Sequence, residues 1–495
     1  AQQVADLTRS LQAAARAAGH RSPLLISIDQ ENGMVRRLGD DMTAFPGNMA
    51  LGAIGSEQIA AEVAQATGEE LKALGINMNL APDADVNNNP ANPVIGVRSF
   101  GEDPQDVARL TAAAVRGYRA AGVVSTLKHF PGHGDTATDS HRALPVIPHD
   151  MERLAAVELA PFKRGIEAGA DAVMIAHIFL PALMPPDGLP ATVSPAIIQG
   201  LLREQLGYAG VVISDCLEMD AITNTVGAAR GSVLALQAGI DIVLVSHRYE
   251  RQRASIEAAL AAARSGELSP ETIRQAAERV LRLKQRLLSW DDALPAAPFH
   301  WTGSPAHQQL AQRAYEQSTT LVRNADVLLP LRLEPADPLL LLLPQPNTFS
   351  QASDRAHHHA FLLESIRERH ANAQALALSP EPTEAEYQQA LQAARSARAT
   401  IMLTLNANLD PYQANVMQAL LQAGAPVIGI AAGNPYDLLA FPALRSYLVT
   451  YEYTRPALAA AVRVLFGEIT AQGHLPVSLP IDIGPTAFSP AIKRR

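Results

Sequence analysis

The chain is predicted to hold two α/β domains in tandem, a (β/α)8 TIM-like barrel followed by an αβα sandwich. Three observations predict this. At 495 residues it exceeds one ordinary domain. Short apolar runs alternate with longer Ala-rich runs through most of its length. The alternation breaks clearly once, over residues 290–305, where prolines 295, 298 and 305 leave no period. The expected boundaries are 1–289 for the barrel, 290–310 for a linker and 311–495 for the sandwich.

The elements of the first domain follow in order. A helical run covers 4–18. Strand candidates lie at 24–29, 76–80, 122–127, 172–177, 210–215 and 240–245. They are continuous apolar runs rather than alternating ones, as strands buried on both faces read. Helices between them are announced by a capping residue before proline: Asp103-Pro104, Ser194-Pro195 and Ser269-Pro270. After Ser56 the spacing of Ile59, Val63 and Ala66 puts three apolar groups on one helix face. Six strand ends carry polar groups: Asp29, Asp83/Asp85, Lys128-His129, His177, Asp215 and Ser246-His247. Six converging ends fit a barrel mouth better than the single crevice of an open doubly wound sheet. In the second domain strands are expected at 328–329, 339–343, 375–378, 400–405, 427–431 and 447–450, with helices such as 384–397 and 411–423 between them.

Composition narrows the function. Apolar residues make up 48 %, enough for a core in each domain, and the net charge of −9 argues against nucleic acid or an anionic membrane surface as the main partner. No run approaches the roughly 18 apolar residues that a membrane span needs. The one cysteine, Cys216, excludes an internal disulfide and a cysteine-based metal site. The chain opens on Ala1-Gln2-Gln3 without an initiator methionine, so a processed N-terminus or a fragment is expected, with the barrel's first strand the piece preceding Ala1. The expected location is the cytoplasm, with secretion left open by the incomplete N-terminus.

The densest chemistry lies in Lys128-His129-Phe130-Pro131-Gly132-His133-Gly134-Asp135-Thr136, closed by Asp139-Ser140-His141. One lysine, three histidines and two aspartates fall within fourteen residues, directly after a strand candidate. Pro131, Gly132 and Gly134 forbid a helix, so these groups are expected on a loop at the strand's C-terminal end. A zinc or iron site made of His129, His133, Asp135, Asp139 and His141 is weighed and set aside, because the two-histidine metal motif needs that helix. His133 and Asp135 also fit a purely structural role. Asp139 and His141, two residues apart, can pair as a carboxylate that orients an imidazole base. Asp215 ends a buried strand, where an aspartate serves as nucleophile, metal ligand or structural acceptor. Asp29-Gln30-Glu31, followed by Arg36 and Arg37, pairs carboxylates with guanidinium groups as a polyol site would, or as a salt-bridged turn would. Arg98 adds a further guanidinium near a strand end.

These segments resemble glycoside hydrolase family 3. The run from Lys128 to His141 is similar to the signature of its β-N-acetylglucosaminidases, and Gly210-Val211-Val212-Ile213-Ser214-Asp215 to its nucleophile segment. Asp29-Gln30-Glu31 and Arg98-Ser99-Phe100-Gly101 resemble two more of its motifs. Ala432-Gly433-Asn434-Pro435-Tyr436-Asp437 and Leu475-Pro476-Val477 resemble its C-terminal domain. The resemblance implies a retaining exo-β-N-acetylglucosaminidase acting on peptidoglycan fragments or chitooligosaccharides, with no cofactor and no metal. Asp215 would be the nucleophile, His141 the acid/base and Asp139 its partner. Asp29, Arg37, Arg98, Lys128, His129 and His177 would bind the sugar. A phosphorylase using the same site is the nearest alternative, and a family 3 β-glucosidase a weaker one. Three departures from the family pattern stand out: Asn32 where a glycine is usual, Met34 for an arginine, and Cys216 for a smaller residue.

Overall fold

All six apolar runs of the first domain form parallel strands. They are β1 (Ser27–Ile28), β2 (Met78–Asn79), β3 (Thr126–Phe130), β4 (Ala172–Ile175), β5 (Val211–Cys216) and β6 (Ile242–Leu244). The computed structural model describes residues 1–39, 41–140, 143–186, 188–294, 302–345 and 358–481. It divides into two compact units. The first comprises Ala1–Glu31, Arg36–Thr43 and Glu57–His307, and the second Asn32–Val35, Ala44–Ser56 and Gln308–Arg495.

In the first unit β1 pairs with β2, parallel bridges Met78↔Val124 and Asp83↔Lys128 join the β2 segment to β3, and β3-β4-β5-β6 follow in chain order. Side chains divide between two layers, as in a TIM-like barrel. Met78, Leu80, Val124, Ala172, Met174, Val211 and Ile213 share one core cluster with Leu283 of the helix Pro270–Leu287. Their strand neighbours Leu127, Val173, Ile175 and Val212 pack instead with Phe162, Ile197, Ile198 and Leu201 of the surrounding helices. β2 to β5 are buried on both faces, which is why they read as unbroken apolar runs, whereas β1 and β6 are only partly buried.

Local signals were met in most places. Asp103 caps Pro104–Ala121 by accepting from Gln105 N and Asp106 N, and Ser269 caps Pro270–Leu287 by accepting from Thr272 N. Ser194 does not cap: its hydroxyl is buried without a hydrogen-bond partner among the described residues. The helix that follows, Ala196–Gln205, is wound as a π-helix. A second correction concerns β3, which continues to Phe130, so Lys128 and His129 lie on the strand and not on the loop. The ladder to β4 shifts register between Leu127 and Phe130, a bulge that re-aims the intervening side chains. The Lys128-His129 and Phe130-Pro131 peptides are both cis.

The second unit is an αβα sandwich. Its strands are β7 (Thr320–Asn324), β8 (Leu339–Pro344), β9 (Ala373–Leu378), β10 (Ala399–Thr404), β11 (Val427–Ala431) and β12 (Ser446–Val449). They lie in the order β9-β8-β10-β11-β12-β7, parallel except for β7. Leu339, Leu341, Ile401, Leu403, Ile428 and Ile430 face one cluster with Leu362, Ile366, Leu458 and Leu465 from helices His359–Arg367 and Arg455–Leu465. The expected strand at 328–329 is absent: Leu329 is buried in that cluster, but the following cis-Pro330 has no N–H for a ladder. Of the expected linker, Trp290–Ala293 and Pro305–Ser318 are helical, and residues 295–301 lie outside the described residues.

Two family departures find their reason in this unit. Asn32 has φ +71, and asparagine is the residue that best replaces glycine in the left-handed region. Met34 packs against the second unit's core, and its sulfur lies 3.4 Å from Tyr453 N. Gly33 has φ +58, and a Cβ there would stand 2.8 Å from Gly47 Cα. Gly33→Ala is expected to cost about 2–4 kcal/mol, read as a lowered denaturation midpoint. An unchanged midpoint would mean that the two backbones are not in such close contact.

Candidate active site

The C-terminal ends of β1 to β3 deliver a buried charge network. Lys128 Nζ lies 2.6 Å from Asp29 Oδ1 and 2.6 Å from Glu31 Oε1. Arg98 grips the same Glu31 with two bonds, Nη2 to Oε1 at 2.8 Å and Nε to Oε2 at 2.9 Å, a fork-to-fork geometry that fixes both groups. The Arg98 Nη1 group donates to Val94 O at 3.1 Å. His129 Nδ1 stands 2.7 Å from Asp85 Oδ2, and its Nε2 stands 3.2 Å from Arg98 Nη2. A guanidinium only donates, so Nε2 accepts and the ring proton belongs on Nδ1, facing the carboxylate.

Electrostatics hold this network in a definite state. Burial pushes the Glu31 carboxyl up, but Arg98 and Lys128 outweigh it and keep the group well below the usual carboxylate range. Burial likewise works against the Lys128 ammonium, and Asp29 and Glu31 overcome it and raise its pKa. Asp83 is pushed well up by burial and by the neighbouring charge of Asp85. Asp85 itself is lowered despite its burial, because His129 and His133 favour its charge. The network reaches solvent at Asp29, whose side chain is 39 % exposed against 2 % for Lys128. A carboxylate presented at the edge of a rigid charged cluster suits recognition of vicinal hydroxyls.

The loop after β3 is braced from inside. His133 N donates to Asp85 Oδ1 at 2.6 Å, and its ring nitrogens meet Thr136 Oγ1 at 3.0 Å and Ser140 Oγ at 3.1 Å. Burial lowers its pKa to about 4, so the ring is neutral at pH 7. Asp135 accepts from Asn89 Nδ2 and pairs with His149 Nε2 at 2.8 Å. Ser140 then ties the loop to the short helix Asp220–Thr223 beyond β5, its carbonyl accepting from Ala221 N at 3.4 Å. Asp139, next to it, is buried.

Asp215 is the penultimate residue of β5 and is half-buried, with Oδ1 accepting from Cys216 N at 2.6 Å. His177, just past β4, is fully buried; its Nε2 donates to Cys216 O at 2.9 Å and its Nδ1 meets Thr192 Oγ1 at 2.6 Å. This histidine therefore holds the Cys216–Leu217 peptide, one residue beyond Asp215.

The predicted residues are distributed as follows. Asp29, Arg98, Lys128 and His129 share the network, while Asp139, His177 and Asp215 belong to the neighbouring strand ends and loop. Arg37 is exposed, and its backbone N–H donates to Gln30 Oε1 at 3.0 Å. His141 lies outside the described residues. Glu31, Asp83 and Asp85 were not singled out as site residues, yet they carry much of the network. Two carboxylates in Asp83-Ala84-Asp85, directly after a strand, were the available signal. Asp83, Asp85 and His129 also have the donor set of a cation site. In this structure the Arg98 guanidinium supplies the cation, 3.8 Å from Asp83 Oδ2.

The chain matches known proteins over both units. Residues 1–283 match the glycosyl hydrolase family 3 N terminal domain, and residues 319–493 the glycosyl hydrolase family 3 C-terminal domain. It is 34 % identical over 532 residues to Beta-hexosaminidase A of Pseudoalteromonas piscicida, covering 96 % of this chain and 87 % of that one. A solved family 3 β-N-acetylglucosaminidase from Paenibacillus sp. str. FPU-7 superposes with a TM-score of 0.89 at 43 % identity, covering 96 % and 90 % of the two chains. A fungal multi-domain family 3 β-N-acetylglucosaminidase gives a TM-score of 0.92 at 44 % identity; this chain covers 56 % of it, with 98 % of this chain included. Matched in both domains and along nearly its whole length, the chain belongs to glycoside hydrolase family 3 and is a glycoside hydrolase.

Proposed function

We propose that this hydrolase is a retaining exo-β-N-acetylglucosaminidase, releasing terminal GlcNAc from peptidoglycan fragments or chitooligosaccharides. The observation that carries the reading is the 34 % identity, over 96 % of the chain, to a relative named for hexosaminidase activity. The buried Asp29–Lys128–Glu31–Arg98 network supports it by offering a fixed acceptor and donor set for sugar hydroxyls.

In the proposed reaction an Asp215 oxygen attacks the anomeric carbon as the glycosidic C–O bond breaks. His141 gives its proton to the departing oxygen, and Asp139 stabilises the imidazolium before transfer. Water then attacks the glycosyl-aspartate, returning a proton to His141 and freeing Asp215. A histidine has an unperturbed pKa of about 6.5, so it is poised for both steps near neutrality without a second raised carboxyl.

Two assays test this. Products from an aryl β-GlcNAc donor are measured with and without phosphate. Free GlcNAc in both supports hydrolysis, and GlcNAc-1-phosphate as the main product would make the enzyme a phosphorylase. His141→Ala is expected to lose about 10²–10⁴-fold on poor leaving groups and much less on activated aryl ones. An equal loss on both would remove His141 from the acid role.

A further inference from the structure

Cys216, Glu218 and His247 take no part in the reaction above, yet the fold gathers them. Cys216 ends β5, Glu218 follows two residues later, and His247 lies three residues beyond β6. The two strands are paired neighbours, with Cys216 opposite Leu244, so their C-terminal extensions emerge side by side. One donor atom from each of the three side chains lies within 4.8 Å of the other two.

Glu218 shows a second, independent feature. Its side chain is only 4 % exposed. Oε2 accepts from the backbone N–H groups of His247 and Arg248, but Oε1 has no hydrogen-bond partner among the described residues. The Arg251 guanidinium forms a long ion pair with Oε1 at 3.9 Å, beyond hydrogen-bond range, so the oxygen's charge is partly balanced but its lone pairs still lack a donor. A buried carboxylate oxygen left without a donor is costly, and a bound cation removes that cost.

We infer that Cys216 Sγ, Glu218 Oε1 and a ring nitrogen of His247 form a three-ligand site for a borderline-soft divalent cation of the zinc type, whose occupation inhibits the enzyme. One sulfur cannot make a cysteine-only centre, but a mixed sulfur, nitrogen and oxygen set suits zinc and disfavours magnesium or calcium, which prefer oxygen alone. Zinc bonds of about 2.0–2.3 Å require the three atoms to close slightly, a movement that the exposed His247 side chain can supply. The thiol proton leaves to solvent as the metal–sulfur bond forms.

The inhibition rests on Asp215 being the nucleophile; the binding does not. Cys216 donates its N–H to Asp215 Oδ1 and offers its carbonyl to His177. A metal drawing on Cys216 Sγ therefore shifts the peptide that positions the reacting carboxylate.

The test uses the chelator-treated full chain. Cobalt(II) titration is expected to give one equivalent of binding with a near-ultraviolet thiolate-to-cobalt band. Zinc should displace the cobalt, and Cys216→Ser and His247→Ala should each abolish the band. In activity assays zinc should inhibit reversibly, and His247→Ala should weaken that inhibition by about 10-fold or more while basal turnover stays within about 2-fold. Absence of the band, or its persistence in both variants, would overturn the site. Binding with undiminished turnover would overturn its link to catalysis. Should the chain cleave no glycoside at all, the cobalt spectrum would still decide the site.

Discussion

Replacing Asp215 with alanine is expected to lower kcat by about 10⁴-fold or more on every β-GlcNAc substrate, with little change in stability. The reason is positional. Asp215 is half-buried at the C-terminal end of a central strand, held by the N–H of Cys216, which His177 steadies in turn through the Cys216 carbonyl. Removing a half-exposed carboxylate opens no core cavity, so the fold tolerates it, while under the proposed mechanism the glycosyl-enzyme can no longer form. The comparison that checks this is kcat beside the thermal midpoint for both proteins. Loss of activity with a collapsed midpoint would show a structural role instead.

Arg98→Met has the largest expected effect on stability, a loss of about 3–5 kcal/mol. Arg98 is buried, holds both oxygens of Glu31, donates to Val94 O and lies beside His129. Without it, among the described residues Glu31 keeps Lys128, which is shared with Asp29, and the burial that already opposes the Glu31 charge goes largely uncompensated. Arg98→Lys should recover little, because an ammonium cannot reproduce the two-pronged contact. Denaturation monitored by a probe in the first unit measures the loss; a change below about 1 kcal/mol would mean that the network contributes almost nothing net.

Much of this was legible in the sequence, for physical reasons that also explain the exceptions. Strands buried on both faces announce themselves as unbroken apolar runs, and eleven of the twelve strands labelled β1 to β12 overlap an expected run, β7 being the exception. The extension of β3 escaped notice because Lys128 and His129 break the apolar pattern while being buried through their charges. Strand β7 escaped because it is an antiparallel edge with a half-buried Arg323 and Asn324, whereas Leu328 and Leu329 nearby are apolar without joining a ladder. In the site, individual strand-end residues were legible. What was not legible was that Glu31 would lie between Arg98 and Lys128, a contact spanning 67 residues on one side. Nor could Met34 be read as packing against the core of the second unit, since the chain enters that unit only briefly there before returning.

The most direct test of the central claim is to trap the glycosyl-enzyme with a fluorinated GlcNAc donor and map the labelled peptide by mass spectrometry. A single adduct on Asp215, discharged when the trapped protein is left to turn over, is the predicted result. An adduct on any other residue, or turnover with no covalent intermediate and inversion at the anomeric carbon, would contradict it.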